Sequence, residues 1–518
     1  AMTIGEDGTW RILSNSTIFT QNGTTSSTLG SFNSVSLNGT DRQQSSSFID
    51  FDRDGLMDLL GSDTEFANGQ QSFKYNSDGT YTTFQVGSYG VNGQTNDGNA
   101  NTYSWWAGIV GIDFDGDGFV DVAYGDGTPN DSEARGGYDS QLVMNTDGTI
   151  LGFDKTGAYV YSPTTQDGVA STNNNNAQPS RELSGVDLNN DGYVDLAYHG
   201  TGGSNVTSKG GSSSSDKRLV IVSNGVNDAG NMTLTNTQVV TDVFYGNTGT
   251  TANRFTTMMW ADLNGDGFMD LFIGGLGGQG GSYGANSAIY YNDGKGNLTL
   301  ASNGVGAGYS VQNFGDEISS MTSIAVDWNG DGKMDVIEIA GERGNTSLGN
   351  ANNIVALWTN QGTNVNTGQV NWSMPQTLLQ NANLSGTYVS TGGLAIDLDY
   401  DGDRDLVVFR AQGGATAYVE NKSVIKDGTS MILRLTDANG INIFYGNTVL
   451  LIDEATGKVV SSQIINPQGG VNMNDSTALV YFYGLDASKS YSAVLLANGQ
   501  HYGGVENFAF DDSGALTT

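Results

Sequence analysis

One nine-residue pattern occurs six times in the sequence, and this repetition limits how the chain can fold. The pattern is D-x-[DN]-x-D-G-x-x-D, and successive copies begin 63 to 75 residues apart. Short runs of alternating apolar and polar residues flank each copy, such as VGIDFD before the second copy and GFVDVAYG from its glycine onward. Such flanks indicate β-strands, so each copy is predicted to form the tip of a β-hairpin.

The acidic residues of the pattern are candidate calcium ligands. Calcium prefers six to eight hard oxygen ligands, and alternate residues of a tight loop can turn carboxylates inward at positions one, three and five. Glycine at position six permits the sharp bend, and aspartate at position nine completes the set. Asp-Gly turns also occur without a metal, but six copies in register favour about six bound Ca²⁺ ions. The predicted ligands of loops one to six are Asp50, Asp52, Asp54 and Asp58; Asp113, Asp115, Asp117 and Asp121; Asp187, Asn189, Asp191 and Asp195; Asp262, Asn264, Asp266 and Asp270; Asp327, Asn329, Asp331 and Asp335; and Asp397, Asp399, Asp401 and Asp405.

A second hairpin follows each loop, for example AIYYNDGKGNLTLAS after loop four. A four-stranded unit with a period near 70 residues is typical of a β-propeller blade with long loops. The segment EDGTWRIL near the N-terminus resembles a lone fourth strand and is expected to complete the last blade. We therefore predict an all-β, six-bladed β-propeller over residues 1–421. A seven-bladed propeller with one calcium-free blade is the alternative if residues beyond 421 contribute.

The six loops and their hairpins resemble the FG-GAP or VCBS repeats of integrin-type and bacterial lectin-type β-propellers. The resemblance covers residues 8–421 and is most specific at the loops. It implies calcium on one face of the propeller and ligand binding on the opposite face.

The aspartate repeat stops near residue 427. Alternating runs such as SMILRLTD and NTVLLIDEATGKVV predict a small β-sandwich over residues 427–510. This segment resembles the ASPIC/UnbV domain that follows VCBS repeats in bacterial extracellular proteins. Residues 511–518 are expected to be a linker to further domains of a larger parent chain.

Composition narrows the classes of partner and activity. Lys and Arg total 21 against 55 Asp and Glu, a formal net charge of −34, which excludes nucleic acid or an anionic membrane surface as the main partner. No apolar run is long enough for a transmembrane helix, so membrane insertion is not expected. The chain has no cysteine and two histidines, which disfavours nucleophilic catalysis. We expect an extracellular protein that is not an enzyme, although paired carboxylates leave glycoside hydrolysis open.

Long polar segments between the second and third strands of the repeats are the expected ligand-binding regions. Aromatic rings beside acidic and guanidinium groups suit a sugar, which needs an apolar stacking face and planar hydrogen-bond partners. Blade packing is the competing interpretation for the two tryptophans, and a local ion pair is the competing one for Arg181 and Glu182. The candidate ligand-binding residues are Trp105, Trp106, Asp126, Arg181, Glu182, Arg254 and Tyr388.

These observations, together with the resemblance to propeller lectins, lead to three hypotheses of different class. The first is a calcium-dependent, lectin-like module of a large secreted bacterial adhesin that attaches to cell-surface glycans, fucosylated ones among them. The second is a protein-binding or spacer propeller of the integrin type. The third is a glycan-active enzyme with a propeller fold.

Overall fold

The computed structural model describes the strands, most of the aspartate loops and the C-terminal region of the chain. The described residues are 2–4, 10–14, 17–21, 32–36, 43–63, 72–84, 109–124, 141–143, 180–200, 219–226, 232–240, 255–275, 287–301, 320–340, 354–373, 376–380, 390–397, 402–410, 417–423, 429–436, 438, 444–465, 479–510 and 516–517. All regular structure among them is β-strand, which confirms the predicted all-β class. No helix suited to crossing a membrane occurs in these residues.

The chain begins with a four-stranded antiparallel sheet that carries no aspartate loop. Its strands are β1 (Met2–Ile4), β2 (Trp10–Ser14), β3 (Thr17–Gln21) and β4 (Phe32–Ser36), hydrogen-bonded in that order. We expected the EDGTWRIL segment to complete the last repeat. Instead, the strand Trp10–Ser14 within it pairs with β1 and β3, because short hairpin connections place its sequence neighbours beside it.

Each of the six repeats forms its own antiparallel sheet. Repeat one contains β5 (Gln43–Ile49), β6 (Asp58–Asp63), β7 (Ser72–Tyr75) and β8 (Tyr81–Phe84), and repeat two contains β9 (Ile109–Ile112), β10 (Asp121–Tyr124) and β11 (Gln141–Val143). Repeat three contains β12 (Ser180–Val186), β13 (Asp195–Gly200), β14 (Leu219–Val226) and β15 (Met232–Val240), and repeat four contains β16 (Phe255–Ala261), β17 (Asp270–Gly275), β18 (Ala288–Asn292) and β19 (Leu298–Leu300).

Repeats five and six vary this plan. Repeat five contains β20 (Ser320–Val326), β21 (Asp335–Ala340), β22 (Ile354–Trp358), the inserted hairpin β23 (Asn360–Thr363) and β24 (Val370–Trp372), and β25 (Gln376–Gln380), which pairs with β22. Repeat six contains β26 (Ser390–Ile396), β27 (Asp405–Arg410) and β28 (Ala417–Val419). In every repeat the aspartate loop joins the first strand to the second, as predicted for a hairpin tip.

Consecutive sheets pack against each other through their first strands. These contacts run from β1 to β5 and on through β9, β12, β16 and β20 to β26. The apolar cores lie between neighbouring sheets. Trp260 of repeat four packs with Val186 and Leu188 of repeat three, and Trp358 of repeat five packs with Phe272 of repeat four. Each sheet thus buries its apolar faces only with the help of its neighbours in the chain.

A buried asparagine at or near the end of the third strand links each of repeats three to six to the preceding repeat. The Nδ2 group of Asn292 donates hydrogen bonds to the carbonyl oxygens of Leu188 in repeat three and Met269 in its own repeat, at 2.7 and 3.1 Å. The equivalent contacts across repeats are Asn224 to Phe114 O at 2.6 Å, Asn360 to Leu263 O at 2.8 Å and Asn421 to Trp328 O at 2.9 Å. Each acceptor is the second residue of the preceding repeat's aspartate loop.

The C-terminal region forms two sheets that share one core. Strands β29 (Thr429–Arg434) and β32 (Leu479–Leu485) pair with each other; the second sheet contains β30 (Thr448–Asp453), β31 (Lys458–Ile464), β33 (Tyr491–Ala497), β34 (Gln500–Phe510) and β35 (Leu516–Thr517). Met431 and Phe482 of the first sheet pack against Leu451 and Leu495 of the second, as in a β-sandwich. Strand β35 pairs back onto β34, so the expected linker 511–518 includes part of this unit.

The asparagine contacts predict a measurable loss of stability. Replacing Asn360 with Ala removes the donors to the Leu263 and Met334 carbonyl groups in a buried position, so the free energy of unfolding is expected to fall by about 2 kcal/mol. The matched control is Asn366→Ala in the exposed turn of the inserted hairpin, with an expected change below about 0.5 kcal/mol. Urea unfolding of the two variants gives the comparison, and equal losses would refute this role for Asn360.

Candidate metal centres

The six aspartate loops share one internal hydrogen-bond pattern. In each loop the amide of the position-six glycine donates to the carboxylate of the position-one aspartate. The donors are Gly55, Gly118, Gly192, Gly267, Gly332 and Gly402, at 2.9, 3.0, 2.9, 3.0, 2.6 and 3.1 Å. All six glycines have positive φ, between 84° and 100°, which explains why this position is glycine.

The position-nine aspartate joins the loop to the third strand of its own sheet. In repeat four, Oδ2 of Asp270 accepts the Leu263 amide at 3.1 Å and Oδ1 accepts the Asn292 amide at 2.9 Å. The same pair of bonds recurs at Asp58, Asp195 and Asp335. Because both oxygens already hold the backbone, this side chain shapes the loop whether or not it also contacts a metal.

Burial makes the inner carboxyl groups reluctant to ionise. It raises the pKa of Asp50 to about 6 and that of Asp58, Asp113 and Asp335 to about 7, with neighbouring carboxylates adding to the effect and backbone hydrogen bonds opposing it. In loops one to five, by contrast, the aspartate at position five is exposed. A cation held between the inner and outer carboxylates would favour ionisation of both.

The donor set of the loops fits a divalent cation that prefers oxygen. One carboxylate oxygen each from Asp50, Asp52 and Asp58 lie within 4.8 Å of one another, and so do those of Asp113, Asp115 and Asp117. The Oδ1 atom of Asp52 is buried without a hydrogen-bond partner among the described residues. Hard oxygen ligands without nitrogen or sulfur are typical of calcium sites, so these clusters can hold such an ion.

Among the described residues, loop one differs from the other loops because one lysine reaches two of its carboxylates. The Nζ group of Lys74, on β7, contacts the carboxylate of Asp52 and lies 3.0 Å from Oδ2 of Asp54. These aspartates occupy positions three and five, where a metal would bind. In the register of the other repeats, residue 74 corresponds to Ser223, Tyr291 and Thr359. Loop one therefore contains its own competing cation.

Loop six is described only in part, and it also carries an unusual cation. Asp397, Gly402 and Asp405 lie within the described residues, whereas Asp399 and Asp401 lie outside them. Position eight is Arg404, where the other loops have Met or Val. Its buried guanidinium lies 4.7 Å from the ring centroid of Tyr481 in the C-terminal unit and favours ionisation of Asp327 in loop five.

The predicted ligand-binding residues fall mostly outside the described part of the chain. Trp105, Trp106, Asp126, Arg254 and Tyr388 all lie there. Arg181 and Glu182 lie in β12, where Glu182 pairs with His199 next to a strand irregularity. The structure therefore leaves the seven residues as predictions.

Sequence reasoning missed the asparagines that link the repeats and the C-terminal residues that touch the loops. The asparagines occur once in each of repeats three to six, but their separation from the position-nine aspartate varies from 16 to 29 residues because the intervening loop varies. Alignment on the turn after the third strand would have revealed them. Contacts such as Ser462 to Asp262 join residues 200 positions apart, and no local pattern signals them.

Comparison with known proteins identifies one FG-GAP-like repeat in the chain. Residues 262–338, from loop four to the second strand of repeat five, match the FG-GAP-like repeat family. No curated protein matches the chain. Among solved structures, the chain is similar to the biofilm matrix protein Bap1 of V. cholerae at 11% identity, covering 85% of this chain and 75% of that chain, with a TM-score of 0.18. A score this low does not inform the fold.

The raised carboxyl pKa values predict how pH affects the metal-free chain. The folded state binds more protons than the unfolded state between the unfolded aspartate pKa of 3.8 and the folded values of about 7. Stability without metal should therefore fall as pH rises across this window, and the stabilisation by calcium should grow. Calorimetry at pH 5 and pH 8, in metal-free buffer and in 1 mM calcium, measures both slopes.

Two variants separate the loop carboxyl groups from the general charge of the chain. Asp335→Asn replaces a buried group of raised pKa and should flatten the metal-free slope. Asp486→Asn replaces an exposed group whose pKa is lowered by hydrogen bonds from Ser488, and should leave the slope as it is. A metal-free chain that is more stable at pH 8 than at pH 5 would contradict the prediction.

The lysine in loop one predicts a variant with tighter metal binding. Lys74→Met removes an ammonium group from two carboxylates, so calcium affinity of the weakest class of sites should rise about 3- to 10-fold. The control is Lys333→Met in loop five, where Nζ lies 2.8 Å from Asp331 Oδ2 alone and a smaller gain is expected. Isothermal titration with calcium chloride measures both, and unchanged or weaker binding by Lys74→Met would refute the competition.

Proposed function

We propose that this chain is a calcium-stabilised β-propeller that serves as a carbohydrate-binding module of a secreted bacterial adhesin. The propeller consists of the N-terminal sheet followed by the six repeats, and a β-sandwich covers its loop side. The observation that carries the proposal is the hydrogen-bond pattern common to the six loops. It holds the position-one carboxylate at the same place in every loop, and in loops one to five, where positions three and five are described, the oxygen atoms of those side chains are its neighbours.

A bound calcium ion would neutralise carboxylates that repel one another and so stabilise each loop. The residues that would hold it are the aspartates and asparagines at positions one, three and five, with the position-nine aspartate fixing the loop. Loops two to five have the most favourable composition because no lysine reaches two of their carboxylates among the described residues. The chain has no cysteine, so bound ions would supply the cross-links that disulfides provide in other extracellular proteins.

The sugar-binding part of the proposal comes from the sequence. The strand order expected from the sequence would place aromatic and charged residues, among them Trp105, Trp106 and Arg254, near long polar segments on the side away from the aspartate loops. The contacts of the C-terminal unit, from residues 445–465 and 479–499, are with the aspartate loops and would leave that side available. Cell-surface glycans, fucosylated ones among them, are the proposed ligands, and weak single contacts suffice when many adhesin copies act together.

A protein ligand is the second candidate, since the FG-GAP-like match of residues 262–338 does not distinguish sugars from proteins. Both candidates place the protein outside the cell, where calcium is abundant. Neither requires catalysis. The two histidines of the chain include His501, which lies exposed in β34 of the C-terminal unit.

A glycan array tests the proposed activity. The labelled chain should bind a related set of glycans in 1 mM calcium and lose binding after chelation, because the ligand side depends on folded blades. Trp106→Ala should reduce the signal at least tenfold, whereas Trp372→Ala, on the inserted hairpin of repeat five, should not. A blank array from a chain that unfolds cooperatively in calcium would shift the assignment to a protein ligand.

A further inference from the structure

The C-terminal unit contacts all six repeats at or beside their aspartate loops. Hydrogen bonds, ring contacts and close approaches connect it to each of them. The contacting pairs, from repeat one to repeat six, are Tyr445 with Phe48, Asn498 with Gly116, Asn447 with Gly192, Ser462 with Asp262, Gly484 with Gly332, and Tyr481 with Arg404.

The contacts are close enough to exclude water from parts of the loops. A Cβ atom on Gly192 would lie 2.7 Å from the amide nitrogen of Gly499, and one on Gly484 would lie 2.8 Å from the Asp331 carbonyl carbon. The backbones therefore meet without intervening side chains. Ile464 of β31 also belongs to the apolar core between repeats three and four. The C-terminal unit is thus packed into the array.

Two hydrogen bonds join this unit directly to position-one aspartates. The hydroxyl of Ser462 donates to Oδ2 of Asp262 at 3.2 Å, the atom that also accepts the Gly267 amide. The amide of Asp187 donates to the carbonyl oxygen of Gly446 at 3.2 Å, while Asn447 Nδ2 donates to Gly192 O at 3.2 Å. Asp187 and Asp262 are 0% and 7% exposed, so docking leaves these carboxylates little contact with water.

We propose that the C-terminal unit acts as an outer shell for the metal centres of loops three and four, so that its docking and calcium binding strengthen each other. Ser462 and Asn447 are positioning residues in this arrangement. Burying a carboxylate is costly unless a cation or hydrogen bonds compensate, so an ion in the loop favours the docked unit. Linkage requires the reverse as well: the docked unit raises the affinity of the loops for the ion. This inference rests on the proposed calcium binding.

Calcium titration of the full chain tests whether contacts of the C-terminal unit change the calcium affinity of the loops. The double variant Ser462→Ala, Asn447→Ala should bind calcium at two of its sites about 10-fold more weakly, the size typical for loss of outer-shell partners. Ser488→Ala is the matched control, because its hydroxyl bonds only Asp486 in an exposed turn of the same unit and should change nothing. Parent affinity in a folded double variant would overturn the proposal.

Hydrogen exchange of the unmodified chain tests it from the side of docking and needs no variant. Removal of calcium should speed exchange in peptides covering 445–465 and 481–499, while β29, whose residues make none of the contacts named above, keeps its protection. Equal exchange at the interface with and without calcium would overturn the coupling while leaving calcium binding intact. A parent chain that binds no calcium would instead reject the proposed function itself.

Discussion

The buried aspartate at the end of each loop holds the repeats in shape. It sits between the start of the loop and the third strand, and each of its oxygens accepts at least one backbone amide in the four complete examples. The residue that donates from the third strand is an asparagine in four described repeats, and the same asparagine reaches the preceding loop. One side chain therefore fixes the local hairpin and, through its partner, the stacking of sheets. Its cost is a buried carboxyl group that resists ionisation.

Because these buried carboxyl groups resist ionisation, the positions of lysine and arginine side chains near the loops matter. With 21 basic residues against 55 acidic ones, the protein leaves most of its carboxylates without a basic side chain to pair with. Among the described residues, loop carboxylates have basic neighbours in Lys74 of loop one, Lys333 of loop five and Arg404 beside loops five and six. Lys74 and Arg404 each replace a residue that carries no positive charge in the other repeats. The contacts of loops two to four with the C-terminal unit include hydroxyl, amide and backbone groups and the Val459 side chain. The hydroxyl and amide groups would stabilise a loop that holds a metal, because they add hydrogen bonds without adding charge.

The sequence predicted the parts of this structure that repeat locally. Hairpin loops, the glycine with positive φ and the strand that follows each loop all depend on residues within about ten positions, so a nine-residue pattern suffices. The pairing of the N-terminal strand was mispredicted. The segment EDGTWRIL indicates a strand but not its partners, which are decided by the strands that fold beside it. The contacts of Ser462, Asn447 and Tyr481 with the loops could not be predicted, since they depend on how a second unit docks. The candidate ligand residues remain predictions.

The first repeat shows how the row of sheets begins. In the register of the other repeats, Tyr75 stands where they have the linking asparagine: its amide makes the expected bond to Asp58 at 2.8 Å, but its side chain packs against Tyr81, with ring centroids 4.8 Å apart. An asparagine there would need the carbonyl group of a preceding aspartate loop. The preceding sheet, β1 to β4, has none. The tyrosine therefore fits a repeat that follows a sheet without an aspartate loop.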